Sequence, residues 1–460
     1  MIPPEPRVLD LLKITLDHFF PKFNQWLEET VDPRSGRHST YDMRLLLWTG
    51  LTLFILRIGS RRQFNELRKT ESFLKNLLEL ADSDADAVPH MDSVNHLLKA
   101  LTPDELQELV VKPLRQLIRN KTLDGFRLEG ELLVAVDGTE LFEFKEPHCD
   151  HCLKRELSNG PQYYHQVLEA KIVTSSGLAF SIATEPVENH EKRGESKQDC
   201  ERKAFYRLAP KLKAAFPHLR ICLLLDGLYA CKEVLDICVE NRWSFMMVFK
   251  QGSIPNLWDQ ALRKRDAQTE NRFEHRPEKG VVQKLSWATN LKHEGRDVHV
   301  VFCEETKTNS RGKVESKLHV WLTDLRPNQR NIVKLVNQGG RLRWKIENQG
   351  FNEQKNGGFE LEHVYGENEN AWKNYYFLLQ IAHLLSQLMT HGDLFRKLAE
   401  RDERVVGPEW PRRFYKSVGH FFKSIKMFVR RLTEAFRWER FSEVVRSNLA
   451  RVVQIRFDTS

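Results

Sequence analysis

Leu9, Leu12, Leu16 and Phe19 recur at steps of three and four residues, the spacing of one apolar stripe along a helix. Residues 45–58 are apolar on nearly every side, which predicts a buried helix. Residues 61–67 start another, and Asp92 or Ser93 is placed to cap a helix beginning at Val94. Thr102-Pro103-Asp104-Glu105 combines a cap residue, a proline at the first helical position and acids in the first turn. Residues 1–125 are therefore expected to be helical, either as a DNA-binding or dimerising bundle or as a helical cap on the next domain.

The texture changes at Leu132. Residues 132–136 (LLVAV) form an unbroken apolar run that ends in Asp137-Gly138. Residues 167–174 and 178–184 flank Ser175-Ser176-Gly177 and predict a hairpin. A helix over 197–216 leads to a second apolar run, 221–225 (ICLLL), ending in Asp226-Gly227. A helix over 232–240 and a strand over 245–249 come next. This order predicts a mixed α/β sheet whose hairpin feeds otherwise parallel strands. Residues 254–325 turn strand-rich, with runs at 281–287, 298–303 and 318–323. Helices are expected again at 328–337, 343–356 and 371–389. The domain reading is thus 1–125 helical, 126–253 and 326–400 as two parts of one core, 254–325 as a β-rich insertion, and 401–460 as a tail.

Charge sharpens one end of this picture. The 460 residues carry 71 Lys+Arg against 63 Asp+Glu, a formal charge of +8. The last 53 residues hold 12 of those cations against 5 acids, with Phe414, Tyr415, Phe421, Phe422 and Phe428 interleaved. A basic helical tail of this kind suits a polyanion, and nucleic acid is the leading partner; a basic helix packed on the core is the competing reading. The N-terminus lacks the apolar stretch of an export signal. Residues 45–56 fall short of the roughly 20 residues that span a bilayer, and seven cysteines without a leader suggest reduced thiols. The expectation is a cytoplasmic protein with no membrane partner.

Asp137 and Asp226 each close an apolar run of the type found in central strands. There the carboxyl end of a strand in an open α/β sheet is the usual place for a ligand. Two carboxylates on neighbouring strands repel unless a cation lies between them, and magnesium suits an oxygen-only site. The competing reading is that both are the Asp-Gly of tight turns. Glu347 is the candidate third acid; with Arg343 four residues earlier, it also reads as an ordinary solvated pair on one helix face.

Taken in order, VAVDG, LLLDGLYA and RWKIENQGFNEQKNGG resemble the catalytic segments of bacterial insertion-sequence DDE transposases. The branch it is most similar to has a Y-x2-R-x3-E-x6-K signature and a β-rich insertion before the glutamate. Gaps of 89 residues between the aspartates and 121 to the glutamate fit it. The resemblance covers about residues 130–400. It implies a ribonuclease H-like mixed-sheet core in which Asp137, Asp226 and Glu347 bind two Mg²⁺ ions, with Mn²⁺ able to substitute. It further implies cleavage of transposon-end DNA, strand transfer into target DNA, and a homodimer on the two ends. Arg343 keeps the signature arginine and becomes a phosphate contact. The tyrosine position, however, holds Gly340, and lysine falls one place late at Lys355, where Gln354 stands at the expected position. Two rivals remain: a catalytically inactive DNA-binding relative, and a ribonuclease H-like nuclease without strand transfer.

Cys149 and Cys152, in EPHCDHC between His148 and His151, have the bite of a zinc half-site. His165, His190 and Cys200 are the further ligands within reach, so the reading is a structural Zn²⁺ on Cys149, Cys152, His165 and Cys200. A reduced, metal-free loop is the alternative. Similar transposases often carry a segment like the KQDCE at 197–201. They can also use an aromatic residue of the insertion to hold a flipped base, which makes Trp287 and Trp321 candidates against simple strand packing. Lys250, just after a strand, is a candidate phosphate contact.

Overall fold

A computed structural model describes residues 7–34, 40–189, 198–308, 312–401, 418–442 and 455–457. Before the first strand come α1 (Val8–Phe19), α2 (Phe23–Glu28), α3 (Met43–Ile55), α4 (Arg61–Leu67), α5 (Glu71–Ala81), α6 (Met91–Ala100) and α7 (Pro103–Arg119). Their starts follow local chemistry. Asp42 accepts from Leu45 N–H at 2.8 Å to cap α3, and Ser60 accepts from Gln63 N–H at 3.2 Å to cap α4. α6 begins earlier than expected, at Met91. His90 caps it in place of Asp92 or Ser93, with Nδ1 accepting from Asp92 N–H at 3.3 Å.

The sheet contains β1 (Leu132–Phe144), β2 (Leu153–Leu157), β3 (Gly160–Val173), β4 (Ala179–Val187), β5 (Ile221–Leu225), β6 (Ser244–Val248), β7 (Arg272–His275), β8 (Val281–His293), β9 (Arg296–Thr308) and β10 (Val314–Thr323). Their order is β2-β3-β1-β5-β6-β10-β9-β8-β7, with β4 also on the outer edge of β3. β1, β5 and β6 are parallel to one another; β3 is antiparallel to β1. The chain is thus mixed α/β, as the element order implied. β1 runs beyond its apolar run, because its pairing with β3 continues to Phe144 whereas that with β5 stops at Ala135.

Helix α8 (Glu201–Ala215) leads from β4 to β5 and α9 (Lys232–Asn241) from β5 to β6, and α10 (Pro255–Ala267) opens the region expected to be strand-rich. The strands after it do not form a separate layer. β10 lies antiparallel to β6, with Trp321 opposite Val248 and Thr323 opposite Met246, so the core sheet simply widens. Thr323 Oγ1 clips the join by donating to Phe245 O at 2.7 Å.

Strand alternation divides the buried residues between the two faces. Val134, Val136, Leu223, Phe245 and Met247 join a core shared with the N-terminal helices. Leu133, Ala135, Cys222, Leu224 and Met246 face a second core containing Trp287, Trp321, Ile346 and Phe351. The second face is closed by α11 (Ile332–Asn337), a 3₁₀ stretch Gly340–Trp344 and a π-helical stretch Ile346–Phe351, after which α12 (Asn352–Asn356) follows directly. Then come α13 (Glu369–His391), α14 (Asp393–Arg401) and α15 (Val418–Trp438).

α13 is buried along most of its length, and Gly50 of α3 packs so closely that a Cβ there would stand 2.7 Å from Leu378 Cδ1. The N-terminal helices therefore sit as a cap on the sheet. The basic helix α15 joins the same core through Ile425, Phe428, Leu432 and Phe436, while Lys426 and Arg430 stay exposed. Arg412, Arg413, Phe414, Tyr415 and Lys416 lie outside the described residues. Among the described residues no helix is long and apolar enough to cross a membrane.

Candidate active site

Register brings the two aspartates together. In the parallel pair β1–β5, Ala135 stands opposite Leu224, and Asp137 and Asp226 each follow two residues on, near enough for the Asp226 charge to act on the Asp137 carboxyl. Alternation aims Asp137 toward the face of Leu133 and Ala135. Asp226 leaves β5 in extended conformation and accepts from Leu228 N–H at 2.7 Å, starting a single 3₁₀ turn. Both aspartates are half-buried. Burial pushes the Asp137 carboxyl above its ordinary range; Arg343 and the Gly138 N–H pull it down, and Asp226 pushes it up again.

A third carboxylate is present that strand-end patterns do not reveal. Glu201, the first residue of α8, approaches across Gly138: a Cβ at Gly138 would stand 2.2 Å from Glu201 Oε1 and 2.6 Å from Gln166 Nε2. Gln166 Nε2 donates to that same Oε1 at 2.8 Å and fixes it. Burial raises the Glu201 carboxyl, and repulsion from Asp137 and Asp226 raises it further. The local signs in the sequence are an acid in the first turn of a helix, which is commonplace, and its place at the end of the KQDCE segment, whose cysteine alone reads as a candidate ligand.

Arg343 comes to the same place. Its Nη1 lies 3.0 Å from Asp137 Oδ2, the counter-charge of that carboxylate in this arrangement. Glu347 follows on the π-helical stretch, exposed, and among the described residues no ion-pair partner joins it. The continuous helix expected over 343–356 is instead 3₁₀, then π, then α. Two glycines show why the chain winds this way. Gly340 is pressed on the Trp321 indole, which a Cβ would meet at 2.5 Å, and Gly350 lies against Lys171, whose Cδ a Cβ would meet at 3.1 Å. Trp321 thus fills the space that the signature's tyrosine would need.

Lys250 is exposed just after β6, and its Cδ lies 4.0 Å from a Cβ built on Gly227, the neighbour of Asp226. Trp344 is 43 % exposed between Arg343 and Lys345, with Lys345 Nζ 5.1 Å from its ring centroid. No periodicity singled out this tryptophan. Lys355 is not turned to the acids; it pairs with Glu362 at 2.9 Å. Gln354 is fully buried, donating to Gln380 at 2.8 Å. Trp287 is 1 % exposed in the second core. It packs the sheet, and a base could reach it only if the strands opened.

The cysteine–histidine cluster lies apart from the acids, between β1, β2 and β3. Cys149, Cys152 and His165 come together there. Cys200 does not join them; it is exposed at the start of α8, and His148 stands at the cluster instead. His190 lies outside the described residues. Burial pushes the Cys149 thiol up to about 11 and the His165 imidazole down to about 4, so both are neutral near pH 7 without a metal.

No protein-family model matches the chain, and no curated protein matches it.

Proposed function

We propose that the chain is a DDE-type DNA transposase, a metal-dependent phosphoryl-transfer enzyme that cuts transposon-end DNA and joins it to a target. The observation that carries this reading is the adjacency of Asp137, just past the point where β1 stops pairing with β5, and Asp226, at the carboxyl end of β5, with Glu201 reaching them from a helix start. The strand order β4-β3-β1-β5-β6, with β3 reversed, is compatible with a ribonuclease H-like core.

The donor set fits a hard divalent cation. It consists of carboxylate oxygens, and two of the three carboxyls are raised by burial and by their acidic neighbours, a strain that a cation would relieve. Asp137, Asp226 and one or both of Glu201 and Glu347 would hold Mg²⁺ or Mn²⁺. Ions bound there would stabilise the attacking and leaving oxygens of an in-line phosphoryl displacement. The protein's own groups do the rest. Arg343, at 3.0 Å from Asp137, offers a planar set of donors to a phosphate beside the acids. Lys250 supplies a charge on the Asp226 side, and the exposed Trp344 ring offers a surface on which a base can stack. Two transposon ends call for two copies of the chain, so a homodimer on DNA is the expected working form.

The test uses end-labelled duplexes carrying the DNA that flanks the chain's own coding sequence, with Mg²⁺. Wild type should cut and join them, and Asp137→Ala should do neither. Cutting without joining would identify a plain nuclease; binding without cutting would identify an inactive DNA-binding relative.

A further inference from the structure

The loop between β1 and β2 folds its two cysteines onto a histidine of β3. Cys149 Sγ and Cys152 Sγ are 3.7 Å apart, and each lies 3.5 Å from His165 Nε2. With zinc–sulfur bonds near 2.3 Å and zinc–nitrogen bonds near 2.0–2.1 Å, the edges of a zinc tetrahedron are about 3.8 Å for S–S and about 3.6 Å for S–N. The three atoms therefore already form one face of such a tetrahedron. His148 is the candidate for the fourth vertex, brought close to Cys149 and His165 but not to Cys152. One of its ring nitrogens lies within 4.8 Å of the Cys149 and His165 ligand atoms, and its Nδ1 is buried with no hydrogen-bond partner.

The surroundings suit a closed site. The His165 ring lies 5.2 Å from those of both Phe142 and Trp372, and the His148 ring stacks on Phe144 at 4.4 Å. His151, the other histidine of the loop, is committed elsewhere, with Nδ1 2.9 Å from Asn189 O and Nε2 3.6 Å from Glu369. The cysteines are not joined to each other: both are free thiols.

We propose that His148, Cys149, Cys152 and His165 bind one zinc ion as a closed structural site that locks the β1–β2 loop to β3. This assignment is independent of the phosphoryl-transfer reading. The site also has a mechanical reach. Asn189 Nδ2 donates to Cys152 O at 2.9 Å, and Asn189 Oδ1 accepts from Asp199 N–H at 3.0 Å. Lys154 N–H donates to Gln198 Oε1 at 2.7 Å. The stapled loop thus holds the residues that lead into α8, whose first residue is Glu201, while Gln166, next to His165 in β3, holds the Glu201 carboxylate.

Purified full-length protein, kept reduced, should contain one equivalent of zinc by plasma mass spectrometry. After exchange with Co²⁺ it should show tetrahedral d–d bands and thiolate-to-cobalt charge transfer, which need no variant to observe. Cys149→Ser and Cys152→Ser should each lose the metal. If either fails to fold, His148→Ala provides a milder test, lowering zinc affinity more than about tenfold in a chelator competition while the fold is retained. Cys200→Ser should bind zinc as wild type does. Reduced, folded wild type that takes up no zinc when it is supplied would overturn the site. Unchanged affinity in His148→Ala, or loss of zinc in Cys200→Ser, would overturn the ligand set.

Discussion

Gly138 shows how one missing methyl group shapes the candidate site. Its bare Cα leaves room for the Glu201 carboxylate, which a Cβ would strike at 2.2 Å. Because the obstructing atoms are the far end of a flexible side chain, Gly138→Ala should fold normally and instead push Glu201 away from Asp137 and Asp226. A displacement of about 1 Å at such a site can cost on the order of 10²-fold, so DNA cleavage should fall by about that much while the melting temperature hardly moves. Asp226→Asn should be more severe. It removes a charge that, on the proposed reading, would hold a cation worth several kcal/mol in the transition state, so cleavage should fall by at least about 10³-fold. Single-turnover cleavage of labelled DNA reads both. The aspartates were legible because each ends a five-residue apolar run. Glu201 was not, since its nearness to them is created by the packing of α8 on β3 and β4 and by Gln166, and nothing within its own segment records either. The same reason explains why His148 replaces Cys200 at the cysteine cluster: β3 delivers His165 beside the loop, and loop geometry then selects the adjacent histidine.

Among the elements, α12 and α13 carry an unusual buried polar network that anchors the segment bearing Arg343 and Glu347. Glu353 is 1 % exposed, with Arg57 of the cap at 3.2 Å and His383 of α13 at 3.3 Å. Burial by itself would raise this carboxyl; the hydrogen bond and charge of His383, then Arg57, outweigh it and hold it at about 2 against an ordinary 4.5. A depressed folded-state pKa contributes stability that is present above about 4.5 and lost as pH falls toward 2. Denaturant midpoints should therefore drop over that window in wild type and less in Glu353→Gln. Arg57→Leu strips the counter-charge and should destabilise by about 3–5 kcal/mol in urea unfolding. Lys171, fully buried beside Glu169 at 3.3 Å and Gln380 at 2.7 Å, plays a similar part under Gly350. Strands bounded by Asp-Gly or Ser-Ser-Gly were readable in the sequence. β2 was not, because LKREL is short and mostly exposed. The winding of 340–356 was also hidden, since Trp321 and Lys171, distant in sequence, decide it.

At the scale of the whole molecule, one sheet runs through core and insertion, and the N-terminal helices share its apolar core with the basic C-terminal helix. Phe436 of that helix is 0 % exposed and meets the Phe73 ring edge-on at 4.9 Å. Phe436→Ala should cost about 3–5 kcal/mol of stability, the mark of a helix that is built into the fold and not merely an arm for DNA. The positive charge left at the surface should still appear in binding. DNA affinity should fall with salt, and Lys250→Ala should reduce the log–log salt slope by about one phosphate contact across unrelated sequences. The central claim is that Asp137 and Asp226 form a metal-dependent phosphoryl-transfer centre. Its most direct test is Mg²⁺-dependent scission of flanking-end DNA by wild type and Asp226→Asn, both shown to be folded. The account predicts scission by wild type that vanishes on chelation and in the variant; equal scission by the two proteins, or none by wild type with Mg²⁺ or Mn²⁺, would contradict it.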